Sequence, residues 1–283
     1  MNKKILIIGL GLIGGSYAKG LSKNGYDIYA YNRSKEAIDY AKGHNIIVDG
    51  TNQFDKDFIS RFDRIIFALY PSIFKTYIKE FSSYIKDGAI ITDVNGVKES
   101  VVYEVQDILS NRVEFIPAHP MAGKEVSGIE NSDEKIFENA NYIITPTDKN
   151  TEVGIALARE IGVALNFRKI SILSPKEHDD MIAFLSQLTH CIAISLMACK
   201  DSEYLVDYTG DSFRDLTRIA NINENMWSEL FLLNKNMLIK EIDSFIDKLS
   251  ELRDYIFNNN EEKIKEMMRI STTRRKFFNK GNL

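Results

Sequence analysis

The sequence predicts a two-domain chain, with an α/β domain at residues 1–172 and an all-helical domain at residues 173–283. Three observations carry this prediction. Short apolar runs alternate with amphipathic helical stretches in the first half, the pattern of a parallel sheet covered on both faces. A glycine-rich turn follows the first apolar run, and strand signals stop after about residue 172.

Six apolar runs in the first half predict strands at residues 3–9, 27–31, 63–69, 89–94, 113–118 and 141–146. Amphipathic spacing predicts helices between them at 15–24, 34–43, 73–84 and 97–110. Strands that alternate with helices in this way favour successive βαβ units.

The stretch GLGLIGGS (9–16) lies where the first strand ends and the first helix opens. Gly9 permits a tight turn, Gly11 lets a pyrophosphate approach the backbone, and Gly14 allows the helix to pack closely on the strand. The helix start, with Leu12 and Ile13 in the same loop, offers free N–H groups and a positive dipole end to phosphates. The N-terminal domain is therefore predicted to be a Rossmann-type dinucleotide-binding domain.

The end of the second strand indicates which dinucleotide binds. NAD sites usually place an acidic residue there to accept hydrogen bonds from the ribose, whereas this chain has Asn32, then Arg33 and Ser34. Without the carboxylate, a 2′-phosphate is not repelled, and Arg33 could pair with it while Ser34 donates a hydrogen bond. The prediction is NADP, with NAD as the alternative.

The second half carries helical signals only. Ser174, Pro175 and Glu177 form a capping-box pattern at the start of an apolar helix over 174–198, and helical spacing returns at 223–256 and 261–270. Such helices commonly bury their apolar faces against a second copy, which predicts a homodimer.

Composition narrows the partners and the compartment. The net charge of −4 gives no basic field for nucleic acid, and no run approaches the ~20 apolar residues of a membrane span. Cys191 and Cys199 fall eight residues apart in one helical segment, too far for a disulfide. Two free thiols fit a reducing cytoplasm.

Three of the four histidines, His119, His178 and His190, stand near other polar residues, whereas His44 is expected at the surface. No HExxH motif or tight ligand spacing accompanies them, so no metal site is predicted. Arg214 and Arg218 lie one helical turn apart, a pair suited to a carboxylate substrate or to helix-surface salt bridges.

Seven short stretches occur in an order that resembles the bacterial prephenate dehydrogenases of tyrosine biosynthesis, over almost the whole chain. They read GLGLIGGS (9–16), DVNGVK (93–98), HPMAGKEVSG (119–128), KEHDD (176–180), LTH (188–190), FRDLTRIA (213–220) and MW (226–227). The HPMAG and FRDLTRIA stretches are specific to the family, whereas the glycine motif is shared by many dehydrogenases.

The resemblance implies oxidative decarboxylation of prephenate to 4-hydroxyphenylpyruvate, with hydride transfer to the nicotinamide. It makes His119 the catalytic acceptor of the ring-hydroxyl proton, a task suited to an imidazole. It assigns the substrate pocket to Arg218, with Arg214 as its neighbour, and to His190, Trp227 and Glu125. Trp227 could reach the pocket across the dimer, and His178 is expected to support structure more than to touch substrate.

One departure from the family pattern concerns Asn95 and Gly96, which stand where many members carry Gly-Ser. That serine helps to orient the hydroxyl and the nicotinamide. Asn95 is the candidate substitute, and the alternative is that His119 works with less help.

Three other functions compete with this interpretation. Arogenate dehydrogenase is the nearest, because it runs the same chemistry on an amino-acid side chain. A β-hydroxyacid dehydrogenase is disfavoured because no lysine lies between Lys176 and Lys200. A non-catalytic nucleotide-sensing protein would have no need for the histidines and arginines.

Overall fold

The computed structural model describes residues 3–201 and 203–278. The chain divides into two compact units, the larger ending at Asn234 and the smaller starting at Lys235. The domain boundary predicted between residues 172 and 173 lies inside the larger unit and stays a prediction.

Six parallel strands form the main sheet in the order β3-β2-β1-β4-β5-β6. They are β1 (Lys4–Ile8), β2 (Asp27–Tyr31), β3 (Asp49–Thr51), β4 (Arg64–Phe67), β5 (Ile90–Asp93) and β6 (Glu114–Ile116). Ile5 and Ile7 of β1 belong to one apolar core, and Leu6 and Ile8 to a second, so β1 is buried on both faces. This order confirms the Rossmann-type prediction and puts the point where the strand order reverses between β1 and β4.

Six helices accompany these strands in the first 164 residues. They are α1 (Leu12–Lys23), α2 (Lys35–Gly43), α3 (Lys56–Ile59), α4 (Pro71–Phe81), α5 (Glu99–Leu109) and α6 (Glu152–Ala164). The sequence predicted α1, α2, α4 and α5 to within a few residues. It missed α3, a single turn, the longer helix α6, and the short strand β3.

A second, three-stranded sheet was not predicted. It consists of β7 (Ala118–Pro120), β8 (Asn141–Ile144) and β9 (Lys169–Ile172), with β7 antiparallel to β8 and β8 parallel to β9. The predicted strand at 113–118 divides at Pro117, which has no N–H to continue the first ladder. The Pro117 carbonyl instead accepts a hydrogen bond from the Thr145 N–H (2.9 Å). The chain thus leaves the main sheet and carries His119 into the second one.

The predicted helix at 174–198 is present with a local change of winding. The Ser174–Glu177 capping box starts α7 (Pro175–Ile182), and a π-helical turn, Ala183–Gln187, joins it to α8 (Leu188–Ala198). Cys191 and Cys199 are both free thiols. A π-turn inserts one residue into the helical register, which a sequence periodicity does not reveal, and such turns are frequent at functional sites.

The segment Pro175–Ala198 is also long and apolar enough to cross a membrane, with a mean hydropathy of 1.7 over its apolar window. From the sequence, no run of this length was expected. A single helix of this length and composition is weak evidence for a membrane span, because core helices of soluble proteins can share both properties.

The remaining helices are α9 (Asp211–Thr217) and α10 (Glu224–Leu233) in the larger unit, and α11 (Lys235–Phe257) and α12 (Glu261–Arg275) in the smaller one. The helical spacing predicted over 223–256 is thus divided between α10 and α11, with Asn234 between them in the chain. The Asn234 side chain donates hydrogen bonds to the carbonyl oxygens of Asp179 (2.9 Å) and of the Gln187 amide (2.8 Å), so the break is fixed by polar contacts.

Candidate active site

The glycine loop has the geometry that its sequence predicted. Gly9 has a positive φ of 101°, and a β-carbon there would lie 2.5 Å from the Ala68 carbonyl oxygen. A β-carbon on Gly14 would lie 1.9 Å from the Gly9 carbonyl oxygen, so only glycine lets α1 pack this closely. Gly11 is exposed and its α-carbon faces open space, and no side chain caps the helix that begins at Leu12.

Of the polar side chains after β2, Asn32 and Ser34 form hydrogen bonds within the chain. The Asn32 Oδ1 atom accepts a hydrogen bond from the Leu10 N–H (2.9 Å), so this side chain turns back to the glycine loop. Ser34 caps α2, and its hydroxyl donates to the Glu36 carboxylate (2.7 Å). Arg33 is exposed and forms no hydrogen bond or ion pair within the described chain.

His119 lies at the centre of β7, directly beyond the carboxyl end of β6, and is partly buried. Its Nδ1 atom is 2.8 Å from Nε2 of His178. A β-carbon built on Gly96 would lie 3.7 Å from both Cε1 and Nε2 of His119, so Nε2 faces Gly96. Nδ1 of His119 is thus bound by His178, and Nε2 faces the loop that follows β5.

A fully buried ion pair, Asp93 with Lys98, lies next to the strand that carries this histidine. The Lys98 ammonium lies 2.9 Å from both carboxylate oxygens of Asp93 and donates a further hydrogen bond to the Ala118 carbonyl (2.5 Å). The same carboxylate accepts hydrogen bonds from the N–H of Ala118 (3.0 Å) and from the side-chain amide of Asn95 (2.8 Å). The pair therefore fixes the backbone next to His119, and it also binds the side chain of Asn95 through the Asp93 carboxylate.

Burial controls the protonation of the two histidines. It lowers the pKa of His119 well below its usual 6.5, and the nearby His178 and Lys98 lower it further. Burial also lowers the pKa of His178 to about 3, with the Lys98 charge acting in the same direction. Both imidazoles are therefore neutral at pH 7, the state that a proton acceptor requires.

Four of the predicted substrate residues form two pairs. The Arg218 guanidinium donates to the Glu125 carboxylate (Nη1–Oε1 2.6 Å). His190 stacks on Trp227 of the same chain, with ring centroids 3.6 Å apart and planes at 29°. Charges on Glu125 and Arg218 both influence the pKa of His190, which burial lowers, so the two pairs are neighbours.

Arg214 is oriented away from this group. Its guanidinium donates to the Thr209 carbonyl (2.8 Å) and lies 4.0 Å from the Asp211 carboxylate. Helix α9 ends at Thr217, and Arg218 begins a separate 3₁₀ turn. The two arginines therefore do not lie one turn apart on the same α-helix.

Sequence reasoning did not identify three of the polar residues that support His119, namely Asp93, Lys98 and Asp179. All three belong to the stretches DVNGVK and KEHDD, which carry the family resemblance. Their burial was the missing information, because lysine and aspartate are almost never fully buried unless they are paired. Within residues 3–201 and 203–278, no three His, Cys, Asp or Glu side chains are grouped as metal ligands.

Comparison with known proteins places this geometry in context. The family model described as "Prephenate dehydrogenase, nucleotide-binding domain" matches residues 17–171, and "Prephenate dehydrogenase, dimerization domain" matches residues 174–270. The prephenate dehydrogenase of Bacillus subtilis (strain 168) is 31% identical over 272 residues, which cover 93% of this chain and 73% of the relative. The cyclohexadienyl dehydrogenase of Zymomonas mobilis is 29% identical and covers 95% of this chain and 97% of the relative.

Solved structures give the same result. Prephenate dehydrogenase from Aquifex aeolicus, in complex with hydroxyphenyl propionate and NAD⁺, superposes with a TM-score of 0.88 at 31% identity. The alignment covers 98% of each chain. Arogenate dehydrogenase from Synechocystis shares the fold, with a TM-score of 0.84 at 23% identity and coverage of 98% of this chain and 100% of the relative.

Proposed function

The chain belongs to the prephenate dehydrogenase family and is an NAD(P)-dependent dehydrogenase, and we propose that its substrate is prephenate. The reaction is oxidation with decarboxylation, giving 4-hydroxyphenylpyruvate and CO₂. The observation that carries this proposal is the neutral His119, whose Nε2 atom forms no hydrogen bond with the residues that the structure describes and faces the loop after β5.

His119 moves one proton in this scheme. The substrate's ring carbon loses hydride while its hydroxyl gives a proton to Nε2 of His119, which leaves a ketone. The bond to the ring carboxylate then breaks, CO₂ departs, and its electron pair makes the ring aromatic. The resulting phenolate oxygen takes up a proton, and a base with a lowered pKa returns its proton readily.

The residues of the glycine loop would hold the dinucleotide, which would supply the hydride acceptor. The uncapped start of α1 at Leu12, Ile13 and Gly14 offers N–H groups to the pyrophosphate, and Gly11 leaves room for its approach. These groups lie at the carboxyl ends of the strands, where ligands bind in open α/β sheets.

NADP is the proposed cofactor, with NAD as the alternative. Two features support NADP: the free guanidinium of Arg33 and the absence of an acidic residue at position 32. Glu36 acts against it, because its carboxylate holds the hydroxyl of Ser34 that would otherwise donate to a 2′-phosphate. A rotation of the Glu36 side chain releases this hydroxyl.

The substrate is proposed to be bound by Arg218, Glu125, His190 and Trp227. A guanidinium is suited to a carboxylate, and the His190–Trp227 stack gives a flat surface for a six-membered ring. Glu125 occupies one donor of Arg218, and the other donors of the guanidinium could bind the substrate carboxylate. Arg214 is proposed as a supporting neighbour.

Arogenate is the second candidate substrate, and one observation favours it. An amino-acid side chain carries an ammonium beside its carboxylate, and the adjacent carboxylate and guanidinium of Glu125 and Arg218 would match both charges. The family resemblance implies that His190 favours prephenate. Its Nδ1 lies 2.9 Å from the Ser186 carbonyl oxygen and so carries the proton of the neutral ring, which leaves Nε2 as an acceptor for a donor group and not as a donor to a keto oxygen.

The protein is proposed to act as a cytoplasmic homodimer. A dimerization-domain family model matches residues 174–270, and the apolar helix that begins at Pro175 has only 28% of its apolar window buried within one chain. Both cysteines are free, as expected in a reducing compartment.

The test is the rate of nicotinamide reduction by the purified chain, with prephenate and arogenate each paired with NADP⁺ and NAD⁺. Turnover of prephenate with a larger kcat/KM than arogenate is expected. Arg218→Ala should raise the substrate KM far more than Arg214→Ala, whose guanidinium is bound to a backbone carbonyl. No turnover in any of the four mixtures would refute the proposal.

A further inference from the structure

Two side chains behind His119 form a continuous hydrogen-bonded chain with it. Nδ1 of His119 lies 2.8 Å from Nε2 of His178, and Nδ1 of His178 lies 2.7 Å from the Asp179 carboxylate. His178 and Asp179 are both buried, at 0% and 1% exposure. We call this arrangement the Asp179–His178–His119 relay.

The proton positions in the relay follow from the acceptor at its end. A carboxylate only accepts, so the proton shared with Asp179 sits on Nδ1 of His178. His178 is neutral, which leaves a lone pair on its Nε2 atom. That lone pair needs a donor, and among the described residues the donor in contact is the Nδ1–H of His119. Since His119 is also neutral, its Nε2 atom carries no proton.

Asp179 is itself fixed by another segment. Its two oxygens accept hydrogen bonds from the backbone N–H groups of Lys98 and Glu99, each at 2.8 Å, at the start of α5. Burial raises the pKa of Asp179 to about 6, and these N–H groups oppose the rise. At pH 7 the group is therefore a carboxylate that accepts three N–H bonds, and it has no freedom to rotate away from His178.

We propose that Asp179 and His178 are positioning residues that lock His119 in the Nδ1–H tautomer, so that Nε2 is always ready to accept the proton of the substrate. This inference rests on the proposed function for its catalytic meaning. It also accounts for Gly96: the chain has no serine hydroxyl there to orient the imidazole from the substrate side, and the relay orients it from behind.

The relay moves no proton along its length. When Nε2 of His119 accepts the hydroxyl proton, the ring becomes an imidazolium whose Nδ1–H bond to His178 strengthens. Asp179 remains a carboxylate, and the proton on Nε2 leaves by the same atom. In serine proteases, a carboxylate behind the catalytic histidine has this orienting role, and setting the wrong tautomer there costs about 10⁴ in kcat.

Two substitutions of His178 separate the relay from a purely structural role. The carboxamide of His178→Gln reaches the position of Nε2 and can still accept the Nδ1–H of His119, but it loses Asp179. The carboxamide of His178→Asn reaches only the position of Nδ1, so it can still bond Asp179 but loses His119. The relay predicts that the glutamine variant keeps a kcat within about tenfold of wild type and that the asparagine variant loses about a hundredfold or more.

A structural role predicts the reverse order, because only the asparagine variant satisfies the buried carboxylate. Thermal unfolding of both variants shows whether each is folded, and KM for substrate and cofactor should change little in either. An asparagine variant that is folded and as active as the glutamine variant would overturn the proposal.

The tautomers are also measurable without any substrate. Long-range ¹H–¹⁵N spectra of the ¹⁵N-histidine-labelled protein distinguish the Nδ1–H and Nε2–H forms, and the chain has only four histidines to assign. His44→Gln is the control, since this exposed ring stacks on Tyr40 in α2. We expect Nδ1–H for both His119 and His178 in the wild type and in the control.

The glutamine variant should keep His119 as Nδ1–H, and the asparagine variant should show a mixture. An Nε2–H tautomer at His119 in the wild type would refute the relay. Because this measurement needs no turnover, it separates the relay from the proposed substrate: a chain inactive on prephenate that shows Nδ1–H at both histidines would refute the substrate alone.

Discussion

The buried ion pair of Asp93 and Lys98 gives an asymmetric prediction. In Asp93→Asn, the Lys98 ammonium keeps neutral acceptors only, the Ala118 carbonyl and the new amide oxygen, and it loses the negative charge that compensates its burial. In Lys98→Met, the Asp93 carboxylate still accepts three hydrogen bonds, from the N–H of Ala118 and from the backbone and side-chain N–H groups of Asn95. Removing the aspartate should therefore cost more than removing the lysine.

The magnitude follows from the burial of both groups, which have 0% side-chain exposure. Breaking a buried pair from one side typically costs about 3–5 kcal/mol. At roughly 2–4 °C per kcal/mol for a domain of this size, Asp93→Asn should lower Tm by about 6–20 °C. Lys98→Met should lower it less, and the double variant should be more stable than Asp93→Asn alone.

Thermal unfolding of the wild type, both single variants and the double variant forms a complete double-mutant cycle. The double variant should still have a lower kcat than the wild type, because it lacks both the ammonium that binds the Ala118 carbonyl and the carboxylate that binds the Ala118 N–H beside His119. A Tm loss in Asp93→Asn equal to or smaller than that in Lys98→Met would contradict the reasoning.

Three further predictions concern the cofactor, pH and Gly96. Arg33→Ala should raise KM for NADP⁺ roughly tenfold and leave KM for NAD⁺ nearly unchanged. The control is Lys35→Ala, which should change neither KM because this ammonium already pairs with Asp39. Equal effects of Arg33→Ala on both cofactors would remove Arg33 from the site. Because burial lowers the pKa of His119, kcat/KM should fall with decreasing pH only at a midpoint below 6.5, and a midpoint above 6.5 in a pH–rate profile would exclude this histidine as the base. A serine side chain at position 96 has van der Waals room beside His119. In Gly96→Ser, the free energy of unfolding should therefore change by less than about 1 kcal/mol, and kcat should not fall. A severe loss of stability or of kcat would show that the loop cannot hold a side chain.

The local parts of the fold were predictable because their signals are local. The glycine spacing predicted the turn at Gly9 and the close packing at Gly14, and Ser174 with Glu177 predicted the start of α7. The antiparallel strand that carries His119 was not predicted, because three residues after Pro117 give no periodicity of their own.

The candidate site was predictable only as far as motifs go. The sequence identified His119, Arg218 and His190, and it associated His178 with structural support. The lysine in DVNGVK gave no sign that it is fully buried, since its partner Asp93 precedes it by five residues and the acceptor at Ala118 lies twenty residues further on. Contacts between distant segments, such as Asp179 at the start of α5, require the folded chain.

The central claim is that His119 accepts the substrate proton, and the rate of prephenate-dependent nicotinamide reduction in His119→Asn tests it most directly. The account predicts a loss of roughly two or more orders of magnitude in kcat, with KM for the cofactor unchanged. A folded His119→Asn variant whose kcat stays within about threefold of wild type would contradict the account.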